Sequence, residues 1–205
     1  TLAPKWDEDG GQADFATAVL DASDALLSEN ANALIVVERI VFPQEGLQRY
    51  AKNPGPLLPR LNGHLILAVH HYAWSGPGKF VPGAAAMEDA GVPSWLCWII
   101  EHTVGGGNYG NMTKDTLRAK LQEEWGYVLD QDICPVWVSE FGAHAKKGFE
   151  MKWFRDFIAI MQEKDVEWAY WPLYAEGGEK PGGGLEGYGT LTADWQRKTD
   201  SDPRL

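Results

Sequence analysis

Apolar residues along this chain follow two alternating patterns. A helix near the start is predicted by apolar positions at helical spacing, namely Phe15, Val19, Ala22 and Leu26. Continuous apolar runs at 34–37, 65–69 and 135–138 are typical of parallel strands that are buried on both faces. A fourth strand is expected at about 167–173. This alternation indicates βα units around a parallel sheet and predicts an α/β fold.

Two further helices are predicted between the strands. The first has Thr113 as its cap, because a threonine side chain can accept a hydrogen bond from the first helical turn. The apolar stripes of these helices are Leu117, Leu121, Trp125 and Val128 in the first, and Phe154, Phe157, Ile158 and Met161 in the second. The stretch 73–112 contains three prolines and a Gly-Gly-Gly cluster, which predicts a long loop; a structureless loop of this length either carries function or has been assigned wrongly.

Composition and charge exclude some classes of protein. With 205 residues, 44% of them apolar, the chain can bury a core, and its net charge of -11 argues against a nucleic-acid partner. No apolar run approaches the ~18 to 20 residues of a membrane span. Ten Trp, 7 Tyr and 7 Phe are a composition often found where sugars are stacked.

The two cysteines and one possible glycosylation site bear on the cellular location of the protein. Cys97 and Cys134 leave open either one disulfide or two free thiols. Asn111 begins a glycosylation sequon, which favours a secreted origin. No group of His, Cys and Asp residues has the spacing of metal ligands, so neither a metal nor another cofactor is predicted.

Polar and aromatic side chains stand at the ends of three predicted strands. They are His70, His71, Tyr72, Glu140, Trp171 and Tyr174. The carboxyl ends of parallel strands meet on one rim, so we expect these side chains to converge. A carboxylate such as Glu140 at the end of a buried strand is either a catalytic group or the anchor of a salt bridge. The two histidines can equally be one core and one surface residue.

Five segments carry a family resemblance. The residues 135–142 (PVWVSEFG), 66–74 (ILAVHHYAW) and 166–173 (VEWAYWPL) resemble the nucleophile strand, the strand before it and the last strand of glycoside hydrolase family 5. The residues 34–38 (LIVVE) and 186–195 (EGYGTLTADW) resemble the family's fifth strand and its closing segment. The resemblance to these cellulase-like retaining glycosidases implies strands 5 to 8 of a (β/α)8 TIM barrel.

Carried over by position, the resemblance implies a role for each candidate residue. Glu140 corresponds to the nucleophile, Tyr72 to a hydrogen-bond donor to its carboxylate, and His70 to a residue of the cleavage subsite. The residues implied in substrate binding are Trp171, Trp74, His71 and Tyr174, with the indole of Trp171 stacked on a sugar ring.

Some positions depart from the family pattern. His71 stands where the family has Asp, Ser139 and Arg39 stand where it has Gly, and Tyr174 stands where Asn is common. The changes at Arg39 and Tyr174 bear on which subsites are open. Glu38 ends a strand on the same rim, and we expect a structural role for it.

The resemblance covers half of a barrel. A complete (β/α)8 barrel takes ~250 residues, and the family's acid/base belongs to an Asn-Glu pair that does not occur in this sequence. Residues 1–205 are therefore expected to form the C-terminal half of a catalytic domain that a second polypeptide completes with strands 1 to 4. The alternatives are that two copies of the chain pair, or that the fold is unlike that of the family. The expected interior residues are Val36, Ile66, Ala68, Val136 and Val138.

The function predicted on this basis is that of a secreted retaining endo-β-glycosidase. It would hydrolyse a β-glucan, foremost a β-1,4-glucan, by double displacement, with its acid/base supplied by the N-terminal half. One alternative is a non-catalytic carbohydrate-binding or wall-structural protein of the same fold. Another is an interaction scaffold that needs no sugar. The sequence leaves open which β-glycan is cleaved.

Overall fold

The chain folds into strands and helices that alternate as the sequence predicts. The computed structural model describes residues 15–38, 57–76, 91–93, 95–96, 99–100, 108–144, 148–174, 188–191 and 195–196. The strands are β1 (Ile35–Glu38), β2 (Leu65–Tyr72), β3 (Val136–Gly142) and β4 (Glu167–Tyr170). The helices are α1 (Phe15–Glu29), α2 (Leu58–Leu61), α3 (Lys114–Leu121), α4 (Tyr127–Asp130) and α5 (Gly148–Glu163). None of the helices described is long and apolar enough to cross a bilayer.

Within the described residues, the four strands form one parallel sheet in the order β1-β2-β3-β4. Val36 of β1 lies opposite Ile66 of β2, and Ala68 of β2 lies opposite Trp137 of β3. All four strands run in the same direction, so their carboxyl ends lie on one edge. The predicted α/β fold with a parallel sheet is confirmed.

One face of the sheet packs into the apolar core together with the helices. Val138 and Phe141 of β3 are 0% and 1% exposed. The ring of Phe141 lies 5.7 Å from the rings of both Phe154 and Phe157 on α5. Burying each such side chain stabilises the fold by roughly 1.5 to 3 kcal/mol. This face therefore anchors the strands whose ends carry the candidate site.

The opposite face of the sheet is only partly covered. Val36 is 42% exposed, and Ile66 and Trp137 are half-buried. The sequence predicts a first strand buried on both faces, but β1 alternates between buried and exposed residues. The prediction is wrong because no described element packs on the side of β1 that Val36 occupies.

The expected interior residues of β3 also need correction. Val136 and Val138 are 5% and 0% exposed and belong to the core that the sheet shares with the helices. Val138 pairs in register with Val69, which belongs to the same core. It is Trp137, between them, that occupies the other face. A continuous apolar run does not reveal which residues point to which face, since both faces then read alike.

The helix after the long loop begins where the sequence predicts. Thr113 accepts a hydrogen bond from the Thr116 N–H at 3.2 Å, as an N-cap does. The predicted apolar stripe is confirmed, since its members are all at most 1% exposed: Leu117, Leu121, Trp125 and Val128. A π-helical turn at Gln122–Gly126 joins α3 to α4. This turn also buries Glu124, which accepts a hydrogen bond of 2.5 Å from the Tyr109 hydroxyl.

The long loop after β2 returns to the strand from which it leaves. The backbone N–H of Tyr109 donates to the Ser75 carbonyl at 2.9 Å, and that of Gly110 donates to the Ala73 carbonyl at 2.7 Å. A side chain at position 110 would lie 2.9 Å from the same carbonyl oxygen, so the close approach requires glycine. The predicted loop 73–112 is described at these two ends and in short pieces between them.

Three further sequence predictions concern the end of β4, the cysteines and the glycosylation sequon. β4 ends at Tyr170 rather than near Leu173, because Pro172 has no N–H to continue a strand ladder. Cys134 is a free, half-buried thiol, and burial raises its pKa; Cys97 lies outside the described residues. Glycosylation of Asn111 stays a prediction.

Candidate active site

The candidate nucleophile is placed by an irregularity in the sheet. Val69 pairs with Val138, but the next residue of β2, His70, pairs with Glu140, so β3 contains one extra residue at Ser139. A bulge of this kind re-aims the side chains that follow it. Here it brings the Glu140 carboxylate level with the imidazole of His70 at the carboxyl end of the sheet.

Both oxygens of the Glu140 carboxylate have a partner from β2. The hydroxyl of Tyr72 donates to Oε1, and Nδ1 of His70 lies 3.0 Å from Oε2. The Glu140 side chain is 23% exposed and that of His70 is 18% exposed. The carboxylate is thus fixed in orientation but still reachable from the rim of the sheet, which is what an attacking group requires.

The donor to this carboxylate stays protonated. Burial of the Tyr72 phenol, together with its hydrogen bonds to Glu140 and Tyr188, raises the pKa of Tyr72 far above its ordinary value. A neutral phenol donates a hydrogen bond and adds no negative charge beside the carboxylate. Tyr72 is therefore suited to act as a hydrogen-bond donor to Glu140 rather than as a base.

Glu38 is the second carboxylate at this rim. Its Oε1 lies 3.9 Å from Nε2 of His70, and its side chain is 58% exposed. His70 thus lies between two carboxylates, with the closer contact to Glu140. A structural role for Glu38 stays a prediction.

Aromatic rings pack against the ring of Tyr72. Trp74 stacks on the Tyr72 ring with centroids 4.7 Å apart and an angle of 15°. Tyr188 meets the same ring edge-on at 5.8 Å. His144 completes the group, with its ring 5.7 Å from Trp74 and 5.0 Å from Tyr188. These four residues are called the rim cluster below.

The backbone of Trp171 is hydrogen-bonded to β3 at the same rim. Its N–H donates to the Phe141 carbonyl at 2.8 Å, and its side chain is 44% exposed. Gly142 lies directly beneath: a Cβ at that position would collide with the Trp171 carbonyl oxygen and would lie 2.8 Å from Cδ2 of Tyr188. The glycine after Phe141 therefore permits both Trp171 and Tyr188 to approach β3.

Two residues predicted to bind substrate lie elsewhere. His71 is 1% exposed and accepts a 2.9 Å hydrogen bond from Trp125 Nε1, so the structure places it in the core on the helix side of the sheet. A strand turns successive side chains to opposite faces, which separates His71 from His70. Tyr174 stacks on Trp195 with centroids 4.4 Å apart, and neither ring contacts the Tyr72 and Glu140 pair among the contacts described. The side chain of His71 therefore does not reach the rim, which corrects the prediction that it contacts substrate. Substrate contact by Tyr174 stays a prediction from the resemblance.

Sequence reasoning missed two residues of the rim cluster, Tyr188 and His144, and also Glu150, which hydrogen-bonds His144. Tyr188 lies in the segment that resembles the family's closing segment, but no role followed from that resemblance. His144 and Glu150 carry a weak signal only, namely a histidine two residues after the Phe-Gly pair and an acid in the first turn of the next helix. Their connection to the site depends on the packing of aromatic rings, which the local sequence does not encode.

Comparisons with known proteins agree with this arrangement. The profile of the family described as Cellulase (glycosyl hydrolase family 5) matches residues 3–177. An endoglucanase of Paenibacillus polymyxa is 27% identical over 195 residues, which is 93% of this chain and 42% of that protein. Endoglucanase G of Acetivibrio thermocellus is 26% identical over 208 residues, 94% of this chain and 34% of that protein. The chain thus spans less than half the length of these curated relatives.

A solved structure shares the fold. The endocellulase of Pyrococcus horikoshii, in a complex with cellotetraose, superimposes with a TM-score of 0.62 at 19% sequence identity. The match covers 95% of this chain and 48% of that endocellulase. The arrangement of strands and helices described above is therefore similar to about half of that structure.

Proposed function

Because the chain belongs to the cellulase family, glycosyl hydrolase family 5, we propose that it is part of a retaining endo-β-glycosidase that hydrolyses β-1,4-glucan. The observation that carries the proposal is the Glu140 carboxylate, held between Tyr72 and His70 at the carboxyl ends of parallel strands. In a parallel α/β protein this edge is where ligands and catalytic groups meet. The endoglucanase relatives support the same class of reaction.

The proposed reaction is a double displacement. An oxygen of Glu140 attacks the anomeric carbon and forms a glycosyl ester, while the bond to the leaving sugar breaks and a general acid protonates the departing oxygen. Water, deprotonated by the same acid/base, then attacks the anomeric carbon and releases the Glu140 carboxylate. Retaining enzymes keep the two carboxyl groups ~5 to 5.5 Å apart, so the acid/base must lie opposite Glu140.

The neighbours of Glu140 have distinct proposed roles. Tyr72 orients the carboxylate by donating to Oε1, and His70 orients Oε2 while lining the cleavage subsite. Trp171 is exposed at the same rim and offers an apolar indole face to the C–H face of a sugar ring. Trp74 contacts Tyr72 and stays the weaker candidate for a substrate contact.

The choice of substrate follows from the relatives. Two relatives are named endoglucanases, and the structural neighbour was solved with cellotetraose. A chain of β-1,4-linked glucose presents flat sugar faces to a tryptophan and hydroxyl groups to polar side chains, which suits a rim that carries Trp171 and His70. We also propose that the protein is secreted, since its polymeric substrate is too large to enter a cell.

The stereochemistry of the product tests this mechanism. We expect the complete protein to release β-anomers from cellotetraose or a longer β-1,4-glucan, because two inversions restore the starting configuration. Proton NMR recorded in the first minutes of hydrolysis separates β-anomers from α-anomers before they equilibrate. Release of α-anomers would instead indicate a single displacement, and Glu140 could then not be the nucleophile.

The proposed catalytic domain is a barrel to which this chain contributes strands 5 to 8. Support comes from the partly covered side of the sheet, where Val36 is 42% exposed although Ala68 is buried, and from β1 and β4 as edge strands of the described sheet. The structural neighbour is about twice as long as the part that matches. We propose that polypeptide outside residues 1–205 supplies the remaining strands and the acid/base carboxylate.

This proposal predicts that residues 1–205 are not stable by themselves. An uncovered sheet face forfeits roughly 1.5 to 3 kcal/mol for each apolar side chain left in water, against a net stability of ~5 to 15 kcal/mol for a whole domain. We expect residues 1–205 alone to bind a hydrophobic dye and to aggregate, and we expect co-expression with the N-terminal half of the catalytic domain to prevent both. A soluble monomer with one cooperative thermal transition and no dye binding would contradict the half-barrel.

A further inference from the structure

A buried pair outside the proposed catalytic residues adjoins the rim cluster. Glu150, in the first turn of α5, is 0% exposed. Its Oε2 accepts a hydrogen bond from the backbone N–H of His144 and a second from Nδ1 of the same residue, both at 2.8 Å. Two donors from one residue on one carboxylate oxygen fix both the backbone and the ring of His144.

The fixed imidazole lies against both rings that enclose Tyr72. It is 5.7 Å from Trp74 and 5.0 Å from Tyr188, while Trp74 stacks on Tyr72 and Tyr188 meets its edge. Trp74 and Tyr188 also contact each other at 5.4 Å. His144 therefore contacts both of the rings that contact Tyr72.

We propose that His144 and Glu150 are positioning residues that hold Tyr72, and through it the Glu140 carboxylate, in the orientation needed for attack. The proposal rests on the function proposed above. Tyr72 can keep its hydroxyl on Glu140 only while its ring stays in one rotamer, and that rotamer is set by Trp74 and Tyr188. A small displacement of an attacking group lowers the rate of reaction far more than it lowers substrate affinity.

The alternative is that the contact between His144 and Glu150 only stabilises the connection between β3 and α5. The two roles separate because asparagine can replace one function of His144 without the other. In His144→Asn the amide nitrogen takes about the place of Nδ1 and can still donate to Glu150, but the ring against Trp74 and Tyr188 is gone. If the pair only stabilises the connection, the rate of reaction is unchanged in this variant. If the pair positions Tyr72, the rate falls.

His64 offers a matched control. Its Nδ1 pairs with the Ala33 carbonyl at 2.9 Å, and it is part-buried like His144. It immediately precedes β2, at the opposite end of that strand from the rim. His64→Asn therefore makes the same chemical change, with the same retained donor, far from the proposed active site.

In the complete protein, we expect His144→Asn to lower kcat on cellotetraose ~10-fold while KM stays within about 2-fold, because the substrate contacts are intact. His64→Asn should leave both constants unchanged, and the melting temperatures of the two variants should be similar. A kcat for His144→Asn within about 2-fold of the wild-type value would overturn the proposal.

A second measurement does not depend on activity. With 3-fluorotyrosine incorporated in the complete protein, including the 7 tyrosines of residues 1–205, fluorine NMR reports the surroundings of Tyr72, whose signal is identified by its loss in Tyr72→Phe. We expect His144→Asn to shift and broaden this signal and His64→Asn to leave it in place. An unchanged Tyr72 signal in His144→Asn overturns the positioning role, whatever the value of kcat.

The two proposals can fail separately. A wild-type protein without hydrolytic activity would refute the proposed function, and the fluorine signal would still decide whether His144 positions Tyr72.

Discussion

Replacing Glu140 by Gln is expected to lower kcat for β-1,4-glucan hydrolysis by a factor on the order of 10⁴ to 10⁶, the size of effect seen when a catalytic nucleophile is removed. An amide oxygen can still accept the hydrogen bond from Tyr72, so the site should keep its shape, but it cannot attack the anomeric carbon. Calorimetric titration with cellotetraose should accordingly show a Kd within a few-fold of the wild-type value. Unchanged hydrolysis by Glu140→Gln would remove Glu140 from the mechanism.

Glu167→Gln is the control for this substitution. Glu167 is an exposed glutamate at the amino end of β4, so the same chemical change occurs in the same sheet but away from the rim. Its kcat should match the wild type. A 2-deoxy-2-fluoro glycoside of cellobiose with a good leaving group adds a further readout. In an active enzyme Glu140 should displace the leaving group and gain the mass of the 2-fluorocellobiosyl group as an ester, whereas a protein that only binds carbohydrate would remain unlabelled.

Replacing Gly142 by Ala is expected to have the second largest effect. The added Cβ would collide with the carbonyl oxygen of Trp171, which belongs to the backbone and cannot rotate away, and would lie 2.8 Å from the Tyr188 ring. We expect a loss of about 1 to 3 kcal/mol in the free energy of unfolding, typical of overpacking. We also expect kcat/KM to fall ~100-fold, because Trp171 and Tyr188 must both move. Denaturant unfolding and steady-state kinetics of the complete protein measure the two effects.

Gly148→Ala serves as the matched variant. At Gly148, the first residue of α5, an added Cβ meets nothing within 4 Å. Alanine also favours a helix over glycine, so stability should stay the same or rise slightly. If Gly142→Ala behaved like Gly148→Ala, the close approach of Trp171 to β3 would be wrong, and with it the placement of the indole at the rim.

The positions of strands and helices could be predicted because their signals are local. The cap at Thr113 and the apolar stripe that ends at Val128 depend on residues within a few turns of each other, and both are confirmed. The convergence of His70, Tyr72 and Glu140 could also be predicted, since the direction of parallel strands alone brings their carboxyl ends together.

The face of the sheet on which each side chain lies could not be predicted in the same way. Continuous apolar strands have no alternation that shows which residues share a face. The interior positions of β3 were therefore expected at Val136 and Val138, whereas Trp137 occupies that face. The extra residue at Ser139 shifts the register of β3 against β2, and nothing in the local sequence marks it. Tyr188 reaches Tyr72 from more than a hundred residues away through ring packing, which only the folded chain brings about.

The two neighbouring histidines of β2 have a consequence for how this protein can evolve. His70 contacts the carboxylate at the rim, while His71 is enclosed by Tyr109, Trp125 and Phe157 in the core. On the proposed function, a substitution at position 70 is therefore expected to change the rate of reaction, and a substitution at position 71 is expected to change the stability of the fold. Substitutions at position 71 can accumulate or be compensated through changes in the helices without altering the chemistry at position 70. A library randomised at both codons should separate into variants that fold but do not react and variants that react but unfold at lower temperature.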